Sequence, residues 1–176
     1  MKNILFASLI SIVAIFLSCG TSLSNVETEL ISNPDLSPEH STGSTSYLPG
    51  ATKEVVIRIR NFGPAPTSAP VVFDVTKMDP VFIVTFDSTA TSYTPAFTTF
   101  TLDNEEWTVV EQATRWRFTS KPGILINPNE TAFIGIKLTA GVNGNAKLNT
   151  RVVSGTGGGE TPNTNNLKIT NLSISN

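Results

Sequence analysis

From Lys53 onward, apolar residues recur at every second position, and no stretch carries the 3.6-residue spacing of an amphipathic helix. Strands patterned this way each have one face to bury, so sheets must close over one another, and the fold class is all-β. Val55, Ile57 and Ile59 share one face while Glu54, Arg58 and Arg60 take the other. Val71, Phe73 and Val75 form a second run and Phe82, Val84 and Phe86 a third, and these two read as an adjacent pair. Trp107 to Val110 and Thr114 to Thr119 form the next pair, with Trp116 and Phe118 inward and Arg115 and Arg117 outward. Ala132, Ile134, Ile136 and Leu138 mark the clearest strand, and Asn143-Gly144 reads as a hairpin turn leading to Leu148, Thr150 and Val152.

Three stretches interrupt the pattern. Asp87 to Asp103 is polar and Thr-rich, the composition of a weak edge strand or a long loop, and Gly155 to Asn166 has that of a mobile loop. The final strand, Leu167 to Ile174, changes phase, so that a bulge near Asn171 would be needed to keep Leu167, Ile169, Leu172 and Ile174 on one face. Seven to nine short strands with turns at this spacing predict an immunoglobulin-like β-sandwich.

The chain opens differently. Lys2 precedes a fourteen-residue apolar run from Ile4 to Leu17, too short to cross about 30 Å of hydrocarbon as a helix, and then comes Ser18-Cys19-Gly20. This reads as a signal peptide over residues 1–18. Ser18-Cys19 at the end of the apolar run resembles the lipobox of bacterial lipoproteins, although Phe16 stands where that motif more often has Leu or Val. The resemblance implies that Cys19 is lipidated and becomes the mature amino terminus. Residues 19–25 are then a tether and residues 26–176 one sandwich domain, with Val26 to Ser32 as an edge strand ended by Asn33-Pro34. The location expected is the bacterial cell envelope, lipid-anchored, at the outer membrane or cell surface rather than the cytoplasmic membrane.

Cys19 is the only cysteine, which leaves the domain without a disulfide, a thiol or a thiolate metal site. The formal charge of −2 becomes one unit more negative when Lys2 is removed, so nucleic acid is not an expected partner.

Spaced turns carry a second resemblance. Pro49-Gly50 followed by a strand and Asn61-Phe62-Gly63-Pro64-Ala65, then Trp107, Ile126-Asn127-Pro128-Asn129-Glu130, and finally Asn149-Thr150 before Pro162 to Asn166, resemble in order the landmarks of CARDB-like and related Ig-like repeat domains of bacterial surface proteins. Asn129 stands where the family usually has Gly, a position that asks for left-handed backbone. The resemblance implies the sandwich and a cell-surface setting in adhesion, assembly or protein–protein interaction, and it brings no catalytic residues.

No catalytic, metal or cofactor site is expected. The only histidine, His40, falls in what reads as a solvated loop before the core, and Asp103, Glu105, Glu106 and Glu111 read as a solvated acidic turn rather than a glycosidase pair. Candidate ligand contacts are Trp107 and Trp116, which would stack on sugars if exposed, and Arg58, Arg60, Arg115 and Arg117, which would form one cationic strip if their strands share a sheet. Asp87-Ser88-Thr89 resembles the short O-glycosylation motif of some Bacteroidetes, which makes Ser88 a candidate acceptor. The partners expected are a membrane, through the lipid anchor, and another protein or a surface glycan. A carbohydrate-binding module and a pilin-like fimbrial subunit are the alternatives, the latter disfavoured because the first Arg after Cys19 is Arg58, inside a core strand.

Overall fold

The computed structural model describes residues 33–175. The signal peptide, Cys19, the tether and the strand expected at Val26 to Ser32 lie outside the described residues. Twelve strands follow: β1 (Leu36–Thr42), β2 (Ser46–Tyr47), β3 (Thr52–Asn61), β4 (Val72–Thr76), β5 (Phe82–Phe86), β6 (Ser92–Tyr93), β7 (Phe100–Thr101), β8 (Trp107–Glu111), β9 (Arg115–Ser120), β10 (Thr131–Ala140), β11 (Gly144–Val152) and β12 (Leu167–Ile174). One sheet has the order β1-β3-β10-β5 and the other β2-β12-β11-β4-β9-β8, with β6 and β7 as a separate small hairpin. The two large sheets stack as an immunoglobulin-like sandwich.

The alternating apolar faces meet in one core. Ile57 and Ile59 of β3, Ile134, Ile136 and Leu138 of β10, Phe73 of β4, Phe118 of β9 and Leu148 of β11 are fully buried. Burying each such side chain contributes roughly 1.5–3 kcal/mol. Phe73 and Phe118 stack with ring centroids 4.6 Å apart, and Trp107 sets its edge on Phe73 at 5.2 Å.

Two expected pairings are replaced by crossings. β4 lies between β11 and β9 while β5 is an edge of the other sheet beside β10. The link between them holds Met78 at 7% exposure, a residue that a hairpin turn would leave in water. β10 and β11 also belong to different sheets. Gly141 N–H donates to the Val81 carbonyl at 2.8 Å, and a Cβ at Gly141 would stand 2.3 Å from the Pro80 carbonyl oxygen. The 141–143 link is therefore seated on the β4–β5 link, and this contact carries the chain across the sandwich in place of a hairpin.

The first described strand, β1, occupies the stretch in which His40 reads as solvated loop. It is an edge strand, where Pro38 costs no ladder bond. His40 points into the sandwich, its Nδ1 2.8 Å from Thr170 Oγ1 and its Nε2 2.8 Å from Thr150 Oγ1. Burial, helped by the nearby Lys168 charge, pushes its pKa down to about 4.

β12 pairs with β11 in unbroken register from Leu167↔Arg151 to Ile174↔Gly144, so no bulge resets its phase. Leu172 and Ile174 go to the core, and Leu167 and Ile169 stay on the outer face, 53% and 47% exposed. The Gly-rich 155–166 loop is tied down: Ser68 N–H donates to Gly157 O, Gly157 N–H to Pro70 O, and Asn166 Nδ2 to the Glu160 carboxylate. Of the expected turns, Asn129 takes φ +64°, and Asn61, fully buried, donates from Nδ2 to Ala65 O and Ile126 O while its Oδ1 accepts from Asp35 N–H and Gly63 N–H.

Candidate functional site: a bolted excursion and its exposed tip

The alternation on β3 has one misfit. Val56 points to the outer face, where its neighbours Glu54 and Arg58 are polar, yet it is fully buried. Opposite it on β10 stands Gly135. Tyr93 of β6 and Leu102 fill the space over both, and a Cβ at Gly135 would come within 2.5 Å of Leu102 and 2.7 Å of the Tyr93 ring. The 87–106 stretch is thus an excursion laid across the outside of the four-stranded sheet.

The excursion also completes an edge. β5 stops at Phe86, opposite Ile136, and β10 runs on toward Thr131 without it. Asp103 and Asn104 take over the ladder. Asp103 N–H donates to Phe133 O, Phe133 N–H donates to Asp103 Oδ2, Gly135 N–H donates to Asn104 Oδ1 at 2.7 Å, and Asn104 Nδ2 donates to Gly135 O and Asp87 O. Every one of these β10 groups would otherwise be an unmatched edge donor or acceptor.

At the tip, Pro95 to Phe97 form one tight turn in which Ala96 (φ +51°) and Phe97 (φ +66°) both have left-handed backbone. A bulky residue held there costs about 1–3 kcal/mol, which the anchored ends of the excursion sustain. Phe97 is fully exposed, at 102% of its reference area. Glu54 Oε2 accepts from Thr94 N–H at 2.9 Å, Thr94 and Thr99 hydroxyls meet at 3.0 Å, and Gly43 packs so near that its Cβ would sit 3.0 Å from Ala96 N. The ring overhangs an open cleft of about 570 Å³ whose floor includes Thr52, Lys53, Glu54 and Lys137. Lys53 Nζ is held over the Tyr47 ring at 4.6 Å and donates to Ser46 O, and Lys137 Nζ lies 5.5 Å from the Tyr93 centroid. Burial, with the Asp87 and Glu54 charges, raises the Tyr93 phenol. Ammonium, hydroxyl and carboxylate groups around one bare ring suit recognition of a polar partner with an apolar patch.

The residues singled out from the sequence fall elsewhere. Trp107 is core, 2% exposed, and offers no sugar platform; Trp116 is half-buried at the other end of the β8–β9 pair, opposite Glu111, with Lys77 Nζ 5.5 Å from its ring centroid. The cationic strip does not form, because Arg58 and Arg60 are on β3 in one sheet and Arg115 and Arg117 on β9 in the other. Arg58 pairs with Glu39 at 2.6 Å, Arg60 lies over the Phe62 ring at 4.6 Å, and Arg115 and Arg117 both bind Asp74. Ser88 is exposed in a turn where Asp87 Oδ1 accepts from the N–H and hydroxyl of Thr89.

The acidic residues read as one solvated turn divide. Glu111 pairs with Lys77, while Asp103 and Glu106 meet Glu130 in a second open cleft of about 560 Å³. Burial first, and then neighbouring carboxylates, raise both Asp103 and Glu106 above the usual carboxylate range. Among the described residues no group of three or more His, Cys, Asp and Glu is placed to hold a metal ion.

No protein-family model matches this chain, and no curated protein matches it. Solved structures similar to it include a CARDB domain from Pyrococcus furiosus crystallised with di-metal ions, at 14% identity and TM-score 0.47 over 82% of this chain and 96% of that one. A cohesin module from a Clostridium perfringens family 33 glycoside hydrolase is similar at 12% identity and TM-score 0.49, over 82% and 98%. AvmM, which catalyzes macrocyclization in alchivemycin A biosynthesis, is similar at 11% identity and TM-score 0.47, over 82% and 90%. These are likenesses of outline and assign no activity.

Proposed function

We propose that this chain is a non-enzymatic lipoprotein of the bacterial cell envelope, acylated at Cys19, whose Ig-like domain acts in adhesion, surface assembly or protein–protein interaction. The observation that carries the interaction role is Phe97: an aromatic ring wholly in water, on a strained turn whose flanks are bolted to a sheet by buried hydrogen bonds. A ring carried on an anchored backbone loses less conformational entropy on docking than one on a free loop, and exposed aromatic rings are the side chains that dominate interfaces. Anchoring at the outer membrane or cell surface is supported by the lipobox-like Ser18-Cys19 and the apolar run before it.

The test is capture from intact cells with the acylated chain, a Cys19→Ala variant and a Phe97→Ser variant. The reading expects Cys19→Ala to be released to the medium, and Phe97→Ser to stay anchored but lose its co-captured protein. Equal release of the parent chain and Cys19→Ala would contradict the anchor, and unchanged capture by Phe97→Ser would contradict the contact.

A second reading, glycan binding, moves from Trp107 and Trp116 to the cleft beneath Phe97, where hydroxyl and charged groups surround a ring as a sugar site requires. Glycan-array binding abolished by Phe97→Ser decides for it. The pilin-like reading gains nothing: Arg58 is on β3, between β1 and β10, where cleavage would cut the sheet through its middle.

A further inference from the structure

Among the described residues, the outer face of the six-stranded sheet has no covering segment like the excursion, and its charge is one-sided. Register places Leu167, Arg151, Asp74, Arg117 and Val110 in a row across β12, β11, β4, β9 and β8. Arg115 adds a second guanidinium on Asp74, and Lys147, opposite Asn171, adds an ammonium. Among the described residues Asp74 is thus the one carboxylate facing four cations on this surface, although the whole chain has a formal charge of −2. Arg117 binds Asp74 through two hydrogen bonds, whereas Arg151 and Lys147 are exposed and make no ion pair among the described residues. Leu167 and Ile169 stand half out of the same face beside them.

The chain enters the domain at this end. Asn33 Nδ2 donates to Thr161 Oγ1 and Asn165 Nδ2 to Asp35 Oδ1, so the first described residues are fastened to the segment that leads directly into Leu167. Fourteen residue steps separate Cys19 from Asn33, a span of at most about 50 Å when fully extended. We propose that this face, through Arg151, Lys147, Leu167 and Ile169, lies against the anionic lipid surface of the bilayer that holds the chain. The claim of proximity rests on acylation of Cys19; the affinity of the face for anionic lipid does not. Basic side chains near an anionic surface and aliphatic groups able to enter the headgroup region are the two ingredients of peripheral binding.

The test uses residues 19–176 with Cys19→Ser, so that no acyl chain contributes; the core, from Leu36 to Ile174, stays whole. The protein is sedimented with vesicles of equal phosphatidylglycerol and phosphatidylcholine, or of phosphatidylcholine alone. Binding is expected only to the charged vesicles, and it should weaken at high salt. Lys147→Gln with Arg151→Gln should lower it roughly thirtyfold. Leu167→Ser with Ile169→Ser should also weaken it, while Arg60→Gln on the opposite face should leave it unchanged, all with unaltered circular dichroism. Equal binding to both vesicles, binding to neither, or retention by an acidic polysaccharide without binding to charged vesicles would overturn the proposal. So would a dimer abolished by the Leu167 and Ile169 pair. Mass spectrometry of the Cys19 peptide from cells tests acylation separately, so failure of the anchor and failure of the face are distinguishable.

Discussion

The two outer faces of the sandwich handle the same problem in opposite ways. On the four-stranded sheet, Val56 and the side-chain-free Gly135 leave an apolar depression, and the chain covers it with its own 87–106 excursion. On the six-stranded sheet, Arg115, Arg117, Lys147 and Arg151 keep the surface polar, and no described residue is laid over it. The contrast shows how a missing side chain on one strand decides where a loop settles. Gly135 admits Tyr93 and Leu102, and a side chain there would crowd both.

The largest pH effect is expected between the faces, at His40. Its ring titrates at about 4 in place of 6.5, so the folded protein binds fewer protons than the unfolded chain across that window. Its contribution is complete above about pH 6.5 and is lost as pH falls toward 4, on the order of 3 kcal/mol. Urea midpoints measured from pH 7 to pH 4.5 should fall, and the slope should flatten in His40→Gln. A similar slope in both proteins would place the acid sensitivity elsewhere.

Asn104→Ala comes next. It strips partners from Gly135 N–H, Gly135 O and Asp87 O, at about 3 kcal/mol by chemical denaturation. Asn171→Ala, on the bare face, should change stability by less than about 0.5 kcal/mol. Comparable losses would mean that the faces do not differ as described. Gly135→Val should cost about 2 kcal/mol by driving a methyl group into Tyr93 and Leu102, and should raise the exchange rates of amides in the excursion.

Smaller still is a divergence between two aspartates. Burial raises Asp103, within the excursion, despite the hydrogen bond from Phe133 N–H. Burial would raise Asp74 too, but the Arg117 guanidinium, hydrogen-bonded and charged, and then Arg115 hold it below the usual carboxylate range. Charging Asp103 opposes folding, so its contribution favours the fold at low pH and is lost as pH rises through its raised pKa. That of Asp74 is present above the unfolded value near 4 and lost as pH falls through its lowered one. Carboxyl-detected NMR titrations should give midpoints on opposite sides of that value. Midpoints on the same side would count against the contrast between the faces.

What could be read from the residues alone was whatever depends on alternation. Ile57, Ile134 and Phe118 declare their faces because a strand has only two. Partnership does not follow from alternation, since β4 and β5 present equally good apolar faces whether they pair or oppose, and the choice lies in the seating of Gly141 on Pro80 and Val81. β1 escaped because its inward groups are Leu36, Pro38 and a histidine held by threonine hydroxyls, with almost no apolar signal. The excursion left one trace, Val56 among polar neighbours, with Gly135 breaking the outer row of β10. Phe97 left none, because exposure of a phenylalanine depends on where distant residues such as Gly43 and Asn104 hold its loop.

Amide hydrogen exchange at Gly135 and Phe133 tests the difference between the faces most directly. With Asn104 and Asp103 closing the β10 edge, both amides should exchange as slowly as the core amides of β10, and Asn104→Ala should speed Gly135 selectively. Rapid exchange at Gly135 in the unaltered protein would show that the edge is open and the excursion unbolted.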